Sequence, residues 1–181
     1  GVFYNTPKLK TLIYDGYAET NNILHQNVQY LGGNAFVNSG LENLTAKGLK
    51  EIYANGFTSS GFASVDLEAT SVQTIKKSMF ANLSRLTSVK LPSGLKMIED
   101  SAFESSGITN IIVPETLTTI GKAAFKNSAI KDITLVKVTS IGASAFESCK
   151  SLTKAVLGNS IDELPDSLFK GCSVLKEFAI P

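Results

Sequence analysis

Charge of one sign is missing from this 181-residue chain: seventeen lysines and arginines face sixteen aspartates and glutamates, for a formal net charge of +1. A nucleic-acid binder that relies on counterion release shows a basic excess or a basic stripe, and neither is present. Charge of either sign is sparse as well, at 18% of residues against about 25% in ordinary globular chains. No apolar run approaches the roughly 18 residues needed to cross a bilayer, so this segment is not expected to insert into a membrane. One histidine and two cysteines are too few ligands for a metal centre. The motifs G-x-x-x-x-G-K-[ST], G-x-S-x-G, H-E-x-x-H and C-x-x-C are all absent, which removes the usual signatures of phosphate cradles, nucleophile elbows and zinc sites. No cofactor is implied, and no residues support an enzyme.

What the chain does have is a repeat. Phe3, Phe36, Phe57, Phe80, Phe103, Phe125, Phe146 and Phe169 follow one another at 33, 21, 23, 23, 22, 21 and 23 residues. Five residues before each Phe from the second onward stand Leu31, Ile52, Ile75, Ile98, Ile120, Ile141 and Leu164. Eight before stand Val28, Leu49, Val72, Leu95, Leu117, Val138 and Ile161. Downstream of each Phe comes a pair spaced by two, such as Val89/Leu91, Ile111/Val113 and Ile133/Leu135.

Each column has a physical reading. Alternate side chains leave a strand on opposite faces, so the spaced pairs predict short β-strands with both members pointing inward. Leu12/Tyr14 would supply the first and Phe178/Ile180 the last. The residue two before Phe is Asn, Ser or, once, Ala123, which predicts a capped helical or 3-10 turn carrying the aromatic. Ser101 with Glu104, and Ser144 with Glu147, have capping-box spacing. One such unit cannot enclose its own apolar side, whereas about eight stacked together share a continuous core with parallel strands along one face.

Leu86, Val89, Leu91, Pro92, Leu95, Ile98, Ala102 and Phe103 spell L-x-x-V-x-L-P-x-x-L-x-x-I-x-x-x-A-F. This pattern resembles the BspA-like, or Treponema pallidum type, leucine-rich repeat. Pro114, Leu117, Ile120, Gly121, Ala124 and Phe125 repeat it, and Cys149 and Cys172 fall at the family's small-residue position. The resemblance implies one α/β solenoid domain over residues 1–181. It would be a right-handed leucine-rich repeat with a curved parallel sheet of about eight short strands, backed by short helical or 3-10 turns. Both cysteines are expected as free thiols, because same-column side chains run parallel and cross-link poorly.

The step from Phe3 to Phe36 exceeds a 23-residue unit by ten, which places an insertion within residues 15–27. Insertions in a solenoid map to loops on one face. The segment contains Tyr17, Glu19, Asn22 and His25, and it reads either as a solvated loop or as part of a partner-binding surface. The chain opens two residues before a column Phe and closes one after a strand, so it is expected to be an excised part of a longer protein.

The remaining candidate site is the outward side of the strands. Its middle column is Ile13, Thr45, Asp66, Lys90, Ile112, Thr134, Val156 and Ala179, flanked by residues such as Asn110, Asp132 and Lys154. Acid pairs Glu99-Asp100 and Asp162-Glu163 read as solvated turn residues. Such a broad face suits protein or glycan binding better than a small-molecule pocket. Proteins resembling this one are typically exposed on, or secreted by, host-associated bacteria and some protists. The resemblance therefore implies a monomeric, non-enzymatic, adhesin-like recognition module at the cell surface or outside the cell. Its partner would be a host or neighbouring-cell protein or glycan. The expected contacts are Asn110, Ile112, Asp132, Thr134, Lys154, Val156, Tyr17 and His25. The alternative is a spacer array that presents another domain and has no ligand of its own.

Overall fold

The computed structural model describes residues 2–12, 22–161 and 163–180. Expectations that fall on Ile13, Tyr14, Tyr17, Glu19, Asp162 and Pro181 lie outside the described residues. Among the described residues thirteen short strands follow in order: β1 (Ile23–Leu24), β2 (Tyr30–Leu31), β3 (Asn43–Ala46), β4 (Glu51–Ile52), β5 (Ser64–Asp66), β6 (Thr74–Ile75) and β7 (Ser88–Lys90). They continue with β8 (Met97–Ile98), β9 (Thr119–Ile120), β10 (Asp132–Leu135), β11 (Ser140–Ile141), β12 (Lys154–Leu157) and β13 (Glu177–Ala179). Every pairing is parallel, and each joins one turn of the coil to the next. The molecule is a β-solenoid.

The spaced pairs form the front face, in register as their alternation requires. Val65 pairs with Val89, and Ile133 with Ala155. Front strands fall into two sheets, β1-β3-β5-β7 and β10-β12-β13. The column five before Phe, expected only as a buried seam, builds a second ladder of two-residue strands: β2-β4 and β6-β8-β9-β11.

Two expectations about local structure are corrected. Among the described residues there is no helix, so the turns around Phe are neither α-helical nor 3-10 and the solenoid is all-β. The residues two before and two after each Phe instead hold the left-handed conformation. Asn34, Asn55, Ser78, Ser101, Ala123, Ser144 and Ser167 do so before it, and Asn5, Asn38, Ser59, Asn82, Ser105, Asn127 and Ser148 after it, with φ between 53° and 61°. Asn and Ser sit there for a conformational reason, not as helix caps, because short polar side chains tolerate positive φ best after glycine. The second correction concerns the first turn of the coil. Ile23 pairs with Thr45 and Leu24 with Ala46, so part of the segment expected as an insertion, residues 15–27, is itself a strand of the front face.

The left-handed residues set up a third ladder behind the aromatics. In one turn of the coil, the N–H groups of Ser101, Phe103 and Ser105 donate to the carbonyls of Lys122, Ala124 and Lys126 at 2.9, 2.7 and 2.8 Å. These bonds run forward to the next turn. Donors flanking the second ladder run backward, as when the Lys96 and Glu99 N–H groups donate to the Gln73 and Ile75 carbonyls, both at 2.9 Å. Acid side chains reinforce the ladder: Glu99 accepts the Lys77 N–H and Asp100 accepts the Lys122 N–H, both at 2.8 Å. These turn residues face solvent as expected, with Asp100 exposed, and in addition hold the neighbouring turns.

Held this way, the rings stack. Phe3, Phe36, Phe57, Phe80, Phe103, Phe125, Phe146 and Phe169 form one unbroken column with successive centroids 5.0–5.7 Å apart and interplanar angles of 20° or less. The six inner rings are fully buried. Phe62 meets Phe36 and Phe57 edge-on at 5.5 Å. Strand spacing of about 4.8 Å sets the repeat, and slightly offset stacking accommodates it.

Two outcomes follow. Phe103→Ala should lower unfolding free energy in urea by about 3–5 kcal/mol, the usual range for a buried Phe; a loss under 1 kcal/mol would contradict the packing. Ala123 alone among the positions two before Phe lacks a side chain suited to positive φ, so Ala123→Gly should stabilise by about 1 kcal/mol. Its neighbour Ala124, buried at ordinary φ, should lose stability as Ala124→Gly in the same titration.

Candidate functional site: a cleft in the strand face

Seven front strands continue one another except at a single place. Between β7 and β10 lies Asn110–Val113, which carries an inward pair like the others but forms no strand. Among the described residues, its backbone makes no hydrogen bond to either neighbouring turn. Bonds on both sides persist: the Gly107 N–H reaches the Leu83 carbonyl at 3.0 Å, and the Lys131 N–H reaches that of Thr109 at 2.9 Å. The interruption is therefore confined to four residues. Ile111 and Val113 are only half-buried, whereas their equivalents Val89, Leu91, Ile133 and Leu135 are buried. Ile112 is 90% exposed. Asn110-Ile111-Ile112-Val113 lacks the alternation of polar and apolar residues that helps fix register in β3, β5, β7 and β10, although β12 (Lys-Ala-Val-Leu) also lacks it and pairs on both sides.

The lifted segment opens a cleft of about 490 Å³ against β10. Ile111, Val113, Pro114, Leu117, Val136 and Val138 supply apolar wall, and Asn110, Glu115, Asp132, Thr134 and Lys137 supply polar groups. Four expected contact residues, Asn110, Ile112, Asp132 and Thr134, line this cleft. Lys154 and Val156 lie one strand further on, register partners of Asp132 and Thr134. The structure thus brings six of the eight together. It separates His25, which follows β1 in the first turn of the coil and accepts the Asn27 N–H through Nδ1 at 3.2 Å. Tyr17 lies outside the described residues. Asn22 is buried: its side chain accepts the Leu12 N–H at 2.7 Å and donates to the Asn43 side chain at 3.1 Å, so it ties the first strands together.

Elsewhere the strand face neutralises itself. Asp66 and Lys90 meet at 2.9 Å, with Glu68 at 3.7 Å from the same ammonium. The hydrogen bond and charge of Asp66, then the charge of Glu68, hold Lys90 above the ordinary lysine pKa. Lys154 and Glu177 meet at 3.0 Å. Asp132 has no cation partner among the described residues; it accepts only the Thr153 hydroxyl, at 3.0 Å. Glu115 and Lys137, also in the cleft, make no ion pair there either. Sequence reasoning picked out the column but not the cleft, and it missed Glu115, Val136 and Lys137. Three consecutive β-branched residues before Pro114 are the signal that could have revealed it.

A family model described as the BspA type leucine rich repeat region matches residues 1–131 and 97–181. The chain belongs to that family. Solved structures of the same coil include a leucine-rich repeat protein from Bacteroides ovatus, 24% identical with a TM-score of 0.63 over 94% of this chain and 46% of that one. The Treponema pallidum leucine rich repeat protein is 22% identical with a TM-score of 0.61 over 87% and 67% of the two chains. The pneumococcal vaccine antigen PcpA is 21% identical with a TM-score of 0.61 over 84% and 48%. This chain spans about half the length of the first and third of these. No curated protein matches it significantly. Family and fold describe a repeat-based binding or scaffold module. Among the described residues, no helix is long and apolar enough to cross a membrane and no His/Cys/Asp/Glu cluster could hold a metal.

The BspA-type repeat also carries the two thiols. Both are free, and each S–H donates to a Phe carbonyl of the preceding turn at 3.0 Å: Cys149 to Phe125 and Cys172 to Phe146. Burial pushes Cys149 up to about 11 and raises Cys172 as well, so reactive thiolate is scarce at neutral pH. Iodoacetamide at pH 8 should modify half-buried Cys172 well before Cys149. After denaturation without reductant, mass spectrometry should show two adducts; their absence would contradict free thiols.

Proposed function

We propose that this BspA-type solenoid is a non-enzymatic recognition module displayed on a cell surface or secreted, which binds a host or neighbouring-cell protein or glycan through its strand face. One observation carries the reading: Asn110, Ile112, Asp132, Thr134, Lys154 and Val156 form a contiguous patch around a break in the sheet, with Ile112 almost fully in water. Ile112 does not stand alone: with Ile111, Val113 and Val136 it makes a contiguous apolar surface rimmed by Asn110, Glu115, Asp132 and Lys137, and contiguous apolar surface with a polar rim marks interaction sites. That a protein of the same coil is a vaccine antigen supports a location outside the cell. Nothing in the cleft brings two titratable groups together in the manner of a catalytic pair. The self-neutralised remainder of the face (Lys90 with Asp66 and Glu68) favours the second reading, a spacer.

Biolayer interferometry against purified extracellular-matrix proteins and immobilised glycans separates the two. The recognition reading expects saturable binding to at least one, weakened about tenfold or more by Ile112→Glu or Val156→Glu, which corresponds to roughly 1.4 kcal/mol or more. Absence of saturable binding, or binding that neither substitution alters, would favour the spacer.

A further inference from the structure

We propose that the cleft at Asn110–Val113 takes an extended peptide strand with alternating apolar and basic side chains, which adds to the open edge of β10. This deepens the recognition reading and rests on it. The backbone makes the first argument. Front-face residues in the middle column point N–H and C=O at the preceding turn: the Thr45 N–H donates to the Asn22 carbonyl at 3.1 Å, and the Lys90 carbonyl accepts the Leu67 N–H at 3.0 Å. Thr134 stands in that column, so its N–H and C=O face the cleft, where Asn110–Val113 gives them no partner. On its other side β10 is satisfied, paired with β12 over all four residues. An open strand edge of this kind is a template for another strand, with main-chain bonds supplying affinity and alternate side-chain pockets supplying selectivity.

The side chains define the occupant further. Half-buried Ile111 and Val113 on one wall and exposed Val136 on the other offer apolar contact to every second residue of a strand. Glu115, Asp132 and Lys137 leave the cleft one negative charge, and Asp132 stands uncompensated where Asp66 and Glu177 on the same face each have a lysine. A lysine or arginine in the entering strand would complete that pattern. No aromatic residue lines the cleft, so it lacks the platform on which sugar rings stack, and a peptide fits it better than a glycan.

The test uses two probes: an acetylated, amidated pentapeptide of alternating valine and lysine, and the same peptide N-methylated at alternate backbone amides. Each is titrated into the ¹⁵N-labelled chain by NMR, with amide exchange measured at saturation. The proposal expects shifts confined to residues 110–117 and 132–138 and slowed exchange of the Thr134 amide. It also expects binding on the order of tenfold weaker for the methylated peptide, which has lost main-chain donors, and weaker binding to Asp132→Lys. Equal affinity of the two peptides, protection elsewhere, or no titration by either would overturn it. Should a matrix ligand still bind in an Ile112-dependent way while neither peptide does, the strand-addition proposal fails and the recognition reading stands.

Discussion

Everything in this molecule depends on holding eight phenyl rings one above another at the spacing of parallel strands. A ring stack with centroids 5.0–5.7 Å apart demands that each turn of the coil repeat the backbone of the last almost without drift. That repetition is enforced by paired left-handed residues on either side of each Phe. They aim three consecutive alternate N–H groups at the next turn, while donors flanking the second ladder, such as those of Lys96 and Glu99, reach the previous one. Adjacent turns are therefore clamped from two sides by bonds of opposite direction, and the aromatics fill the space between. In such an array each unit rests on its neighbours, so a defect in one ring position weakens both contacts it makes.

Much of this was legible in the amino-acid order because burial and period were in step. The columns of Phe, of Ile or Leu five before it, and of the spaced pairs map to buried rows through the middle of the coil. At its end Leu164, Phe178 and Ile180 are exposed, against the expectation that Phe178 and Ile180 point inward, because no further turn covers them among the described residues. Turn geometry was the part misread. Ser101 with Glu104 has the spacing of a helix cap, and Asn or Ser before an aromatic suits either a cap or a left-handed turn; propensity alone does not separate the two. Positive φ at the mirror position two after Phe settles it, and the recurrence of Asn38, Asn82 and Asn127 there was an available clue. The first strand, inside the expected insertion, was not legible because Ile23 and Leu24 are adjacent and not spaced by two, and only their pairing with Thr45 and Ala46 reveals it.

The cleft was half legible for a related reason. Sequence columns identify which residues face outward, and Asn110, Ile112, Asp132 and Thr134 do. They assume, however, that every unit completes its ladder. Where Ile111, Ile112 and Val113 run together, neither strand face is distinguished by polarity; Ala155, Val156 and Leu157 share that feature and still pair, so the release of main-chain bonds at Asn110–Val113 is visible only in the structure. A defect in a repeat is where a solenoid acquires a local identity: uniform turns offer a partner many equivalent surfaces, while a break offers one. The functional reading of this BspA-type chain therefore rests on the one unit that departs from the rest.

The central claim is a single continuous aromatic column inside a dry core. It is most directly tested by an aromatic NOESY spectrum of selectively phenylalanine-labelled protein. The account predicts an unbroken series of ring-to-ring contacts running Phe3, Phe36, Phe57, Phe80, Phe103, Phe125, Phe146, Phe169, with Phe62 joined to Phe36 and Phe57. Contacts between rings two or more turns apart, or inner rings in exchange with water, would contradict it.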